Sequence, residues 1–250
     1  MKRLIAALFL TCGAMAGCGP EEPAAPAAAA QSEWSAPPVI DQVAATAEGV
    51  RIAGQAAPGA RISLIAHEGA AHGATADPQG RFEVNLPVAA SPRLFQAVIV
   101  HTNGATPAPG WLFVPPGGAA PAALLRPGAG ALPIGDSGLI AAFDYDGGAA
   151  VASGRAAPGV EVRVSVDGEA AGAARAEADG RYRVQLPPIP PGLRRIRVEA
   201  GQDEATADLR LIAPGEATFS AEAQDHGWRV IWPLPGGGAQ GTWLILDPAA

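Results

Sequence analysis

Gly180-Arg181-Tyr182-Arg183-Val184-Gln185-Leu186-Pro187 repeats Gly80-Arg81-Phe82-Glu83-Val84-Asn85-Leu86-Pro87 at an offset of 100 residues. The same offset carries Gly54-Gln55-Ala56-Ala57-Pro58-Gly59 onto Gly154-Arg155-Ala156-Ala157-Pro158-Gly159. Two matching blocks at one offset, with an ungapped interval between them, mark a tandem duplication. Inside each block, large apolar residues occupy every second position. Tyr182, Val184 and Leu186 alternate with Arg181, Arg183 and Gln185, which is the period of a strand with one buried and one wet face. Val160, Val162, Val164 and Val166 alternate with Glu161, Arg163, Ser165 and Asp167, and Ile196 and Val198 with Arg195, Arg197 and Glu199. The first copy repeats the pattern with Ile62-Leu64-Ala66 and Phe82-Val84-Leu86. Its run from Leu94 to Val100 is nearly all apolar, which places that strand in the middle of a sheet.

The residues between these strands are turn-makers. Pro58-Gly59 and Pro158-Gly159 suit the centre of a type II turn, where Pro fixes φ and Gly supplies φ > 0. Asp77-Pro78-Gln79-Gly80 fits a type I turn, and Asp179-Gly180 is a hairpin signal. Near the C-terminus, Gly227-Trp228-Arg229-Val230-Ile231-Trp232 resembles Gly49 to Gly54. Pro235-Gly236-Gly237-Gly238 stands at the turn position, and one more strand follows at Thr242 to Leu246. This fragment of a third repeat is too short for a sandwich, so it is expected to pack on an edge of the second copy.

Composition sets the limits. Ala, Gly and Pro (57, 32 and 25 residues) fill nearly half of the 250-residue chain, and much of the 48% hydrophobic share is alanine. Gly and Pro at this density interrupt long helices and argue against a large α/β enzyme. The expected fold is all-β: two tandem sandwich modules at 39–115 and 139–213, a connector at 116–138 with Ala122 to Leu125 as a candidate strand, and a C-terminal strand pair at 214–250 packing on the second module. The pattern Gly-x-Ala-x-Pro-Gly, a strand, Asp-Gly, then Gly-Arg-Tyr-x-Val-x-Leu-Pro resembles bacterial Ig-like modules of surface proteins. It is also similar to the transthyretin-like sandwich of carboxypeptidase regulatory domains. Such modules act as stalks, spacers or binding domains, so the resemblance implies a fold and a non-enzymatic role, not an active site.

The N-terminus supplies an address. Lys2-Arg3, the apolar run Leu4 to Leu10 and the small residues after it have the layout of a secretory signal, too short to span a bilayer. Met15-Ala16-Gly17-Cys18 resembles a bacterial lipobox, although Leu usually stands where Met15 does; an ordinary secretory signal with an incidental cysteine is the rival reading. On the lipobox reading, residues 1–17 are removed and Cys18 is acylated. Gly19 in place of Asp then implies release to the outer membrane, so the protein is an envelope lipoprotein held by its lipid. Residues 18–38 form an Ala/Pro-rich tether. The processed chain carries fifteen arginines and no lysine against 24 acidic residues, a formal charge of −9. That balance excludes a nucleic-acid footprint. With Cys18 lipidated and Cys12 discarded, no intrachain disulfide is available.

Candidate sites are few. Trp228 and Trp232, four apart on one strand, share a face. With Trp243 they form a candidate surface for a sugar ring or a partner protein, or else they fill the core of the last hairpin. The expected partners are the membrane, through the lipid, and an envelope protein or cell-wall glycan. His67 and His72 flank a hairpin at Glu68-Gly69 and could meet across it, but without a recognised zinc spacing; His101 and His226 stand apart. Asp144-Tyr145-Asp146-Gly147-Gly148 resembles half a calcium loop without the remaining oxygen ligands. Glu21-Glu22 and Asp203-Glu204 fall in the tether or in expected loops, with no apolar setting to raise a pKa. No nucleophile elbow or phosphate loop is present, so neither a catalytic residue nor a cofactor is expected.

Overall fold

The computed structural model describes residues 36–216 and 218–246; Cys18 and the tether as far as residue 35 lie outside them. The described residues form one compact unit, and it is all-β.

The first copy supplies β1 (Val39–Thr46), β2 (Gly49–Gln55), β3 (Arg61–Ala66), β4 (Ala71–Thr75), β5 (Arg81–Pro87), β6 (Arg93–His101), β7 (Gly104–Pro107) and β8 (Trp111–Val114). The connector folds as β9 (Ala122–Leu125) and β10 (Leu132–Ile134). The second copy gives β11 (Ala142–Tyr145), β12 (Ala150–Arg155), β13 (Glu161–Val166), β14 (Glu169–Arg175), β15 (Arg181–Leu186), β16 (Gly192–Ala200) and β17 (Asp203–Leu211). The C-terminal segment forms three strands rather than two: β18 (Ser220–Gln224), β19 (Gly227–Pro233) and β20 (Ala239–Ile245).

These strands build four sheets. In the first sandwich, β1-β2-β5 faces the larger sheet β10-β9-β8-β6-β3-β4, in which β7 also pairs with β6. In the second, β15-β12-β11-β20-β19-β18 faces β14-β13-β16-β17. Every strand pair is antiparallel, and the duplicated strands keep their register: Gly54 pairs with Phe82 and Gly154 with Tyr182. The type II turns close with Ala60 N–H donating to Ala57 O and Val160 N–H to Ala157 O, with φ of +73° at Gly59 and +76° at Gly159. Gly154 also has a packing reason. A Cβ there would lie 2.1 Å from the Leu139 carbonyl oxygen, the same oxygen that accepts the Tyr182 hydroxyl hydrogen bond.

Each sandwich has its own core. Ile52, Leu64, Val84 and Phe95 lie in the first, and Phe143, Val164, Val184 and Ile196 in the second. The copies differ on the strand that follows. Ile62 pairs with Ile99 in the first copy and Val162 with Ala200 in the second, so the offset there is 101. The outward residues Leu94 and Val98 of β6 then correspond to Arg195 and Glu199 of β16. In the second copy that outer face is a carpet of exposed ion pairs, Arg195–Asp208 and Arg197–Glu204. In the first, Leu94 and Val98 make it largely apolar and buried. A pair on the free surface contributes little, so the carpet keeps this face wet, while the apolar face requires a cover.

That cover comes from the other sandwich. Leu94 of β6, Phe113 of β8 and Ala123 and Leu125 of β9 pack against Ala142 of β11, Val230 and Trp232 of β19 and Leu244 of β20. The four sheets are therefore stacked in series, with a third core between the two middle ones. Asp203 and Glu204 open β17 rather than lying in a loop, and Glu204 is one of the carpet's carboxylates.

Candidate functional site

The seam between the two middle sheets holds the buried polar residues Asp144, Ser153, Gln240 and Thr242. On β11, Phe143 and Tyr145 point into the second sandwich, so the alternation sends Ala142 and Asp144 the other way, into the seam. Asp144 is 2% exposed. Its Oδ1 accepts from Thr242 Oγ1 at 2.6 Å and from Gln240 Nε2 at 2.9 Å. Its Oδ2 accepts from the Ala131 backbone N–H at 2.7 Å. Thr242 Oγ1 in turn accepts from Trp232 Nε1 at 2.9 Å, and Ser153 Oγ donates to Ala131 O at 3.1 Å.

One carboxylate thus ties the connector, through Ala131, to β11 of the second copy and to β20 of the C-terminal segment. Trp232 carries the tie on to β19. Burial pushes the Asp144 carboxyl above its ordinary value, and the bonds from Thr242, Ala131 and Gln240 together with the field of Arg126 oppose that shift only in part. A buried carboxylate of this kind is costly in itself, but its donors would be costlier left without it.

Aromatic rings rim the seam. Phe113 and Trp228 meet edge to face at 5.9 Å. His67 lies 5.9 Å from Trp111 and 6.1 Å from Phe219. His72 sits away from the seam, against Phe95 of the first core at 6.2 Å. His67 and His72 thus have different aromatic neighbours, and among the described residues no group of His, Cys, Asp or Glu is arranged to hold a metal. The acidic run at 144–146 is likewise divided. Asp144 turns into the seam, while Asp146 Oδ1 accepts from the backbone N–H groups of Gly148 and Ala149 in its own turn.

An exposed platform of three tryptophans does not exist. Trp228 and Trp232 do share a face, but it is the face packed on the first sandwich, and Trp232 is fully buried. Trp243 is 3% exposed and belongs to the core of the second sandwich, tilted against Tyr145 at 6.4 Å. The register explains the split. Trp243 pairs with Arg229, between Trp228 and Trp232, and so projects from the opposite face. Only Trp228 is half exposed, on the wall of an open cleft it shares with His226, Arg210 and Leu246. Asp144 was hidden from sequence reasoning because its acid-Gly-Gly context reads as a turn. The usable signal was the strand phase of Phe143 and Tyr145.

Residues 36–112 match the family described as bacterial Ig domain. Ig-like domains of this kind are typically structural or binding modules. Among solved structures, the chain is similar to the central fibronectin-III array of RIM-binding protein, at 16% identity over 78% of this chain and 79% of that one, with a TM-score of 0.26. It is also similar to the BSP domain of a biofilm associated protein, at 16% identity over 72% of this chain and 30% of that one, with a TM-score of 0.25. No curated protein gives a significant match.

Proposed function

We propose that this chain is a non-enzymatic envelope lipoprotein. In this reading a lipid on Cys18 and the Ala/Pro-rich tether hold a stiff pair of Ig-like sandwiches off the membrane, as a stalk or protein-binding module. The observation that carries the proposal is the third core with its buried Asp144 network. Domains joined by a bare linker move relative to one another by default, and a large apolar interface is what suppresses that motion. Here the connector is itself two strands of one sheet, and the C-terminal segment extends another. The bacterial Ig-domain match over 36–112 favours an extracellular or envelope location. The partner in this reading is an envelope protein, since the burial of Trp232 and Trp243 removes the surface expected for a cell-wall glycan.

Rigidity is directly measurable. Spin labels on Gln79→Cys and Gln202→Cys, in a variant with Cys12 and Cys18 replaced by Ser, sit on exposed turns, one in each copy. A single narrow distance distribution by pulsed dipolar spectroscopy is expected. A broad distribution would mean a jointed pair and would remove the stalk reading.

The anchor has its own test. Cys18→Ser is expected to abolish incorporation of labelled palmitate in the bacterial host and to release the protein from the membrane fraction. Labelling that persists would place the acyl chain elsewhere.

A further inference from the structure

The second copy carries positive charge where the first does not. On the outer face of the sheet containing β12 and β15, Arg155 pairs directly with Arg181, and Ser153 with Arg183. At the same register in the first copy the pairs are Gln55 with Arg81 and Ala53 with Glu83. The first copy thus builds the same ladder without arginine at either of these two positions. Like charges directly across a ladder are destabilising, and here they stand in a chain with an excess of acidic residues. Above them lies the half-buried Arg126 of the connector. Its Nε and Nη2 are held by the Gly130 and Ala129 carbonyl oxygens at 3.0 and 3.3 Å.

The four arginines line one cleft with Ser137, Ser153, Glu177 and Asp179. Asp179 neutralises Arg181, with 3.3 Å between Nη1 and Oδ2, and its backbone oxygen accepts from Arg155 Nη1 at 3.0 Å. Among the described residues, Arg126 and Arg183 have no carboxylate in salt-bridge contact, and four cations face two anions. Burial makes the charged form of Arg126 harder to keep, and the positive charges of Arg183 and Arg181 add to this, while the carboxylates of Asp144 and Glu177 oppose it. The cavity is about 130 Å³, the space of about four waters. That suits one phosphate- or sulfate-sized group with its bridging waters. Arginine forks are matched to such oxygens, which they bind bidentately.

We infer that the cleft between the connector and the β12–β15 face is an oxyanion-binding site, in which Arg126, Arg155 and Arg183 take a phosphate or sulfate group, free or esterified on a polysaccharide. A ligand there would bridge the connector loop to the second sandwich, beside the Asp144 network that already joins them. The site does not depend on the stalk reading.

Titration calorimetry on the full chain at fixed ionic strength tests the site, with inorganic phosphate in one arm and dextran sulfate, against neutral dextran, in the other. Saturable binding of phosphate or of dextran sulfate, with neutral dextran silent, is expected. Binding of phosphate points to a free ion, and of dextran sulfate alone to an ester on a polymer. Arg183→Glu and Arg155→Gln place the first copy's Glu83 and Gln55 at these positions, and an unchanged thermal unfolding midpoint of each variant confirms that its fold is kept. Each is expected to weaken binding at least tenfold, and Arg126→Gln likewise. No saturable binding in either arm, or binding unchanged in Arg183→Glu, would overturn the assignment.

Discussion

Replacing Trp232 by Ala is expected to lower the free energy of unfolding by about 3–5 kcal/mol, the range for removing a fully buried large aromatic side chain. Trp232 is 0% exposed. It fills the third core together with Leu94, Phe113, Leu125 and Leu244, which come from both sandwiches. Its indole N–H also satisfies Thr242 Oγ1 at 2.9 Å, so the variant removes a hydrogen-bond donor as well as volume. Neither sandwich core contains Trp232, so each should survive its loss. The expected signature is therefore a loss of coupling: one cooperative calorimetric transition in the wild type, and two separable transitions, the first at lower temperature, in Trp232→Ala. Trp228→Ala, on the same face but half exposed, should cost clearly less. A loss below about 1 kcal/mol, with a single transition retained, would show that the third core does not bind the sandwiches together.

The internal repeat made most of this fold readable. An offset of 100 residues with period-2 alternation located the strands and their inward faces, because strand periodicity is a local property. Even the seam left a trace. Apart from Gln96, Leu94 to Val100 is apolar on both sides of its strand, whereas Arg195, Arg197 and Glu199 keep the outer side of the second copy wet. What no local pattern could supply was the partner of that apolar face. The third core joins Leu94 and Phe113 to Trp232 and Leu244, residues more than 100 positions away, and contacts at that range depend on which strands pair. The tryptophans show the same limit. Trp228 and Trp232 could be put on one face from their spacing, but the placement of Trp243 required the register of β19 with β20. Of the connector, only Ala122-Ala-Leu-Leu125 could be read as a strand, weakly because alanine favours strands little, and it forms β9; β10, three residues long, left no pattern.

Asp144→Ala is expected to cost about 3 kcal/mol or more. It leaves the Thr242 hydroxyl, the Gln240 amide and the Ala131 N–H buried without their acceptor, at about 1–3 kcal/mol for each unsatisfied group. Asp144→Asn should cost less at neutral pH. It retains an acceptor for Thr242 and Gln240 but turns an amide N–H toward that of Ala131, while removing the burial of a charge. The two effects separate with pH. Because burial raises the Asp144 carboxyl, the folded state holds this proton more tightly than the unfolded chain does. The contribution of Asp144 to stability is therefore greatest below the unfolded carboxyl value, about 3.9. It declines as pH rises from there through the raised folded value. The asparagine has no proton to lose, so the stability advantage of the wild type over Asp144→Asn should be largest in acid and shrink across that window. Urea unfolding of both proteins between about pH 3.5 and 7 measures the difference, with the other carboxylates cancelling. Parallel curves would mean that Asp144 is not buried as a charge in the seam. A difference that instead grew with pH would mean that its hydrogen bonds outweigh its desolvation.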